Sequence, residues 1–295
     1  MASLREFRKK IKTVKSTQQI TKAMKMVSAA RLRRAQSRIL ASRPFAIRMN
    51  ELLKDLAGRL SSDRGTASAA PHPLLETNQS KKVALLLVTS DKGLCGSFNT
   101  NLVRKAAEYI RDNPEKDIRF FVVGRKGRDF FKRSGYPISG EYVQIFNQLS
   151  YTHAEIIGKD LIELYLKEKL SEVVVIYNEF KSVLQQKLTL ERLLPIRRPE
   201  DSQGAAEAKV DFLYEPSRDQ LLEALLPRYV KSQIYRVLLE SFAAELGARM
   251  AAMDSATKNA RDLIDMLTLK LNRQRQAVIT REIAELVGGA ESLKN

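Results

Sequence analysis

Both ends of this chain carry a helical apolar stripe too long for any globule of its size. Between Ala2 and Leu60 no glycine occurs before Gly58, and the only proline is Pro44. Apolar residues fall at Leu4, Phe7, Ile11 and Val14, then at Ile20, Met24, Val27, Leu32, Ala35 and Ile39. This is one amphipathic helical face sustained over many turns. About 55 residues at 1.5 Å each make a rod of roughly 80 Å. After Pro227 the pattern returns. Ile234, Leu238, Phe242, Leu246, Met253, Ala256, Ala260, Leu263, Leu267 and Leu271 step by three, four or seven. Gly247 interrupts this run, and Gly288-Gly289 is expected to stop it. Arg228 to Leu286 predicts a rod of nearly 90 Å, whereas a compact chain of 295 residues is only about 50 Å across. Each rod has one apolar stripe to bury. The economical solution is an antiparallel coiled coil of the two, with Ala23, Ala29, Ala30, Ala251, Ala252, Ala256 and Ala260 permitting close approach.

The middle has another rhythm. Val83–Thr89, Ile118–Val123, Val173–Glu179 and Gln185–Leu193 read as strands, and Thr100–Arg111, Arg125–Arg133 and Thr152–Lys169 as helices. Strands alternating with helices predict an α/β domain with a mostly parallel, Rossmann-like sheet. The expected organisation is residues 1–60 as the amino-terminal coiled-coil helix and 61–80 as a linker. The α/β domain follows at 81–211, and the carboxy-terminal helix at 212–295.

Charge narrows the function. The net charge is +17, and from Met1 to Arg48 there are 14 Lys and Arg against the single acid Glu6, so +13 lies on one helix. Such a segment suits a nucleic-acid arm, a targeting peptide or the solvated face of a helix with a special partner. For the first and last, composition divides evenly. No apolar run approaches the roughly 18 residues of a membrane span. The single Cys95 excludes an internal disulfide, and with only His72 and His153 a zinc site is not expected. Both histidines read as surface residues, His153 just after a helix cap at Thr152.

Ser90-Asp91-Lys92-Gly93-Leu94-Cys95-Gly96-Ser97-Phe98-Asn99 lies between a strand and a helix, where an α/β fold places a phosphate loop. It fits neither standard phosphate-binding spacing, so the preferred reading is a tight turn with Ser97 or Asn99 as helix cap and Cys95 as packing. A nucleotide-binding reading would put Asp91 or Lys92 on the ligand. No carboxylate pair or nucleophile triad stands out, so no catalysis, cofactor or small-molecule ligand is expected.

Three blocks resemble one family. They are Gln18–Ala30 (Q-Q-I-T-K-A-M-K-M-V-S-A-A), the turn Ser90–Asn99, and Ala248–Met253 with Asn272–Ile283 (N-R-Q-R-Q-A-V-I-T-R-E-I). In order and across almost the whole chain, they resemble the gamma subunit of F-type ATP synthases. The resemblance implies a rotor shaft within a hexamer of alpha and beta subunits, its foot on the c-ring beside epsilon. Ion flow turns the shaft, and the shaft drives ATP synthesis or hydrolysis in beta. It implies a peripheral protein on the cytoplasmic side of a bacterial inner membrane. It also leaves no room for a presequence, and the single cysteine does not fit the chloroplast thiol-regulated insert. Residue by residue, the resemblance gives Lys22, Met24 and Lys25 to beta-subunit loops. Arg275, Gln276, Thr280 and Glu282 match carboxy-terminal contacts to beta, Arg249 supports coupling, and Tyr214 and Glu215 belong to the foot. Seam packing is the alternative for Met24 and Met26. The alternative function is a basic coiled-coil nucleic-acid-binding protein.

Overall fold

A computed structural model describes residues 4–62, 72–196 and 218–292, apart from the side chains of residues 50, 53–62, 218, 219 and 290–292. The chain divides into two compact units, Met1–Ala29 with Arg249–Asn295, and Ala30–Ala248. Helix α1 is Leu4–Ser62 and helix α5 is Arg218–Ser292.

The larger unit holds a five-stranded sheet. Strand β1 (Lys82–Val88) pairs in parallel with β2 (Asp117–Val123) and β4 (Glu172–Phe180). Strand β3 (Ile138–Tyr142) adds in parallel to β2, and β5 (Gln186–Leu194) closes the other edge antiparallel to β4. The order is β3-β2-β1-β4-β5. Helix α2 (Phe98–Asp112) and α3 (Arg125–Arg133) cover one face. Helix α4 (Tyr151–Glu168) and the Leu222–Leu239 stretch of α5 cover the other. This two-sided cover explains why β1 is a continuous apolar run. Val83 to Val88 are wholly buried, odd residues facing α2 and even ones facing α4.

Several local expectations change. Strand β3 has no apolar signature, because an edge strand spelled Ile-Ser-Gly-Glu-Tyr alternates half-buried and exposed. Helix α4 is capped by Ser150, not Thr152. Ser150 exchanges with His153, its backbone N–H donating to Nδ1 at 3.2 Å. His72 uses its Nδ1 to accept the Leu74 amide at 3.1 Å, and burial lowers its pKa. Helix α5 begins ten residues before the expected Arg228 and runs through Pro227. A proline inside a helix costs about 3 kcal/mol, but this turn buries Leu222 and Leu226 at about 1.5–3 kcal/mol each. Nor do Gly288 and Gly289 end it. Neither takes the left-handed conformation that terminates a helix, and α5 continues to Ser292. Gly247 has a packing reason, since a Cβ there would lie 3.2 Å from the Phe180 ring and 3.5 Å from Val183 Cα.

Between α5 and the β4–β5 hairpin sits an ionic link. Arg236 donates to both Glu191 oxygens at 2.7 and 2.9 Å and to the Tyr177 hydroxyl at 3.1 Å, with Glu240 at 3.5 Å. After β2, Gly124 (φ +90°) opens α3, and a Cβ there would collide with the Thr89 carbonyl. Gly124→Ala therefore meets both backbone strain and a backbone collision. It is expected to lose about 3 kcal/mol or more, read as a lower urea midpoint with unchanged slope.

Candidate partner-facing surface

In the smaller unit, α1 (4–29) and α5 (249–292) pair antiparallel. The hydroxyls of Thr21 and Thr257 lie 2.8 Å apart, and Lys25 Nζ is 2.5 Å from Asp254 Oδ1. As one number rises by four, the other falls by three. Extending that register sets Leu4 level with Gln274. In α1 (4–29), Leu4, Phe7, Ile11, Val14, Gln18, Thr21, Lys25 and Ser28 are buried or half-buried in an alternation of three and four, with Met24 and Ala29 half-buried beside them. On α5 they continue from Met253 through Thr257, Ala260, Ile264, Leu267, Leu271, Gln274 and Val278. A spacing averaging 3.5 keeps one seam facing its partner.

This seam is not the stripe that apolar residues alone suggest. From Gln18 to Ser28 its α1 positions are polar, and although Met24 stays half-buried beside them, Ile20 is 57% exposed, Met26 60% and Val27 54%. On α5, Leu263 is likewise exposed while Ile264 takes the seam. The sequence signal was present in the spacing of Gln18, Thr21, Lys25 and Ser28, but a search for apolar residues passes over it. Thr21, Asp254 and Thr257 were missed for the same reason.

The residues singled out by resemblance fall into distinct places. Lys22 is exposed and Met24 half-buried, whereas Lys25 turns to Asp254. Met26, for which seam packing was an alternative, faces outward. Arg249 is buried at 9% exposure. Arg275, Gln276, Thr280 and Glu282 are exposed on α5. They lie at and beyond the start of α1, roughly 30 to 40 Å along the pair from Lys22. Every described side chain from Ile279 to Val287 is exposed, including Ile283, Leu286 and Val287. Tyr214 and Glu215 lie outside the described residues.

The turn after β1 is held by its own side chains. Asp91 Oδ1 accepts the backbone amides of Arg125 (3.1 Å) and Gln144 (2.9 Å), tying three loops together. Asn99 is not a cap. It reaches back, its Oδ1 accepting the Ser90 amide at 3.0 Å and its Nδ2 donating to buried Cys95 Sγ at 3.2 Å. Ser97 holds the cap position without a side-chain capping bond. A cleft of about 550 Å³ lies along β5. Three of its charges are paired, Lys116 with Glu172 at 2.9 Å and Glu191 with Arg236. Among the described residues no group of three or more His, Cys, Asp or Glu could hold a metal, and no helix is long and apolar enough to cross a membrane.

The larger unit's five-stranded parallel-type sheet, in a chain with a long helix at each end, defines the class, and comparison with known proteins gives it a family. The ATP synthase family model matches residues 3–293. The gamma chain of Trichlorobacter lovleyi is 47% identical over 296 residues, and that of Desulforamulus reducens 46%, each match covering all of both chains. The central stalk of the Tetrahymena thermophila mitochondrial ATP synthase matches with a TM-score of 0.60 at 27% identity, over 80% of this chain and 99% of that one. The Euglena gracilis rotor shares the fold at 20% identity, with a TM-score of 0.62 over 94% and 98%. The chain belongs to the ATP synthase gamma-chain family. Nothing in these relationships supports the nucleic-acid reading.

Hydrogen bonds from Lys25, then from Lys258, hold the Asp254 carboxyl below the ordinary aspartate range. A lowered carboxylate pKa adds stability above the unfolded value, and that stability is lost as pH falls through the folded one. The thermal midpoint of the native chain should therefore exceed that of Asp254→Asn near neutrality. The difference should close as pH falls through and below the ordinary aspartate range. A gap that stays constant with pH would contradict this account.

Proposed function

We propose that this chain is the non-catalytic central shaft of an F-type ATP synthase. It couples rotation of an ion-driven c-ring to ATP synthesis or hydrolysis in beta subunits. The observation that carries the reading is the helix pair of the smaller unit, whose inner seam is closed while apolar and basic residues remain on its outside. Ile20, Met26 and Val27 on α1, with Ile279, Ile283, Leu286 and Val287 on α5, are more apolar surface than a free helix pair needs. A surrounding ring of alpha and beta subunits would cover it.

In this reading the two helices form an antiparallel coiled coil. The domain layout is 1–60 and 212–295 as helical arms, 61–80 as connector and 81–211 as the α/β body. The body, with Tyr214 and Glu215, rests with epsilon on the c-ring, and the protein is peripheral on the cytoplasmic face of a bacterial inner membrane. Lys22 and Met24 face beta-subunit loops. Arg275, Gln276, Thr280 and Glu282 meet beta at the other end, and Arg249 supports coupling from within the helix pair. Each orientation of so asymmetric a shaft favours one conformation of each surrounding catalytic site, and that difference in interaction free energy is the coupling. No bond is made or broken on this chain. Met24, unbranched and polarizable, suits a surface that slides past several partners.

Mixed with alpha and beta subunits, the chain should co-purify as a complex with ATPase activity. Failure to associate refutes the shaft reading. Met24→Lys adds a cation beside beta-subunit loops. It should lower ion pumping per ATP hydrolysed severalfold while complex yield changes by less than about twofold. Unchanged pumping per ATP would remove Met24 from the coupling surface.

A further inference from the structure

The polar stretch of the seam has a role that partner contact does not explain. Of the basic residues between Met1 and Arg48, Lys25 alone is half-buried, and the others are exposed. Its ammonium lies against Asp254, whose second oxygen meets Lys258 at 3.1 Å. One turn away the Thr21 and Thr257 hydroxyls meet at 2.8 Å, and each also reaches a carbonyl of its own helix, Gln18 O at 3.1 Å and Met253 O at 2.7 Å. Thr21 is 8% exposed.

Elsewhere in this unit the seam is largely apolar. Phe7, Ile11 and Val14 face the level of Leu271, Leu267 and Ile264, and apolar layers tolerate sliding because any apolar residue satisfies any other. The polar layer does not tolerate it. A slide of one heptad sets Thr21 against Ile264, which breaks the Thr21–Thr257 contact while each hydroxyl keeps the carbonyl of its own helix, and sets Lys25 against Arg261, like charge on like charge in place of an ion pair. The observed register makes both cross-helix contacts at once, hydroxyl to hydroxyl and ammonium to carboxylate.

We propose that Lys25 and Asp254, with Thr21 and Thr257, are positioning residues. They key the two helices in a single axial register and so fix the azimuth at which Lys22, Met26 and Val27 are presented to the ring. Lys25 acts through Asp254 and not by touching a beta subunit. This rests on the shaft reading for its effect on coupling, while the register itself is a property of the chain alone.

Charge exchange separates the two roles. In the assembled enzyme, Lys25→Asp and Asp254→Lys should each lower ion pumping per ATP hydrolysed by more than about threefold. The double exchange K25D/D254K should return it to within about twofold of the native ratio. If Lys25 instead touched a partner, Asp254→Lys could not rescue Lys25→Asp, and a double variant no better than the worse single one overturns the proposal. The register is read on the full-length chain from disulfide yields. Q18C/A260C joins positions level in the observed register, and Q18C/L267C joins positions one heptad apart; native Cys95 is buried. In the native background only the first pair should close. With T21V/T257V/K25M/D254L added, the second should rise severalfold, and an unchanged yield overturns the key. If the native chain fails to couple pumping to hydrolysis, the shaft reading falls, while the disulfide yields still decide the register.

Discussion

An amphipathic helix in water must cover its apolar stripe, and in this chain that requirement joins the first residues to the last. Within the larger unit α5 meets it against the sheet, where Leu222, Leu226, Val230, Ile234, Val237 and Leu238 are buried beside α4. In the smaller unit the partner is α1 alone. The same helix therefore passes through two environments. One is a three-layer core that wants residues apolar on several sides. The other is a two-helix seam that needs one residue in every three or four. The burial pattern of α5 follows the change, dense up to Gly247 and sparse after Met253.

That division explains what sequence reading could and could not reach. The alternation of strands and helices in the middle, the long terminal helices and three of the four expected strands with their parallel partners were legible, because Val83–Val88 and Val173–Tyr177 bury both faces and so announce themselves. Strand β3 was not, since an edge strand carries little apolar signal. The antiparallel hairpin of β4 and β5 was visible as two strands without its direction. Helix ends failed where burial overrode local preference, at Pro227, and where a glycine pair was read as a stop without regard to its conformation, at Gly288-Gly289.

The surface residues were harder. Apolar periodicity placed Ile20 and Val27 inside and said nothing of Thr21 or Asp254, because it assumes that buried means apolar. A half-buried lysine, an aspartate and two threonines satisfy one another, so the seam can be polar without loss. The resemblance to a family supplied Lys22, Met24 and Lys25 as a block, but a block of consecutive residues on a helix points in several directions. Only the register distinguishes the one that turns inward.

The far end of α5 makes one demand on the cell. From Ile279 to Val287 the helix displays Ile279, Ile283, Leu286 and Val287 to solvent, spaced along about two turns, and no described residue of α1 lies level with them. A single helical end of this kind has little to hold it folded by itself. Chain made in excess of its ring would carry an adhesive tip, open to proteases and to other copies. Balanced synthesis of the subunits is then a requirement written into the last turns of one helix, quite apart from anything the finished motor does.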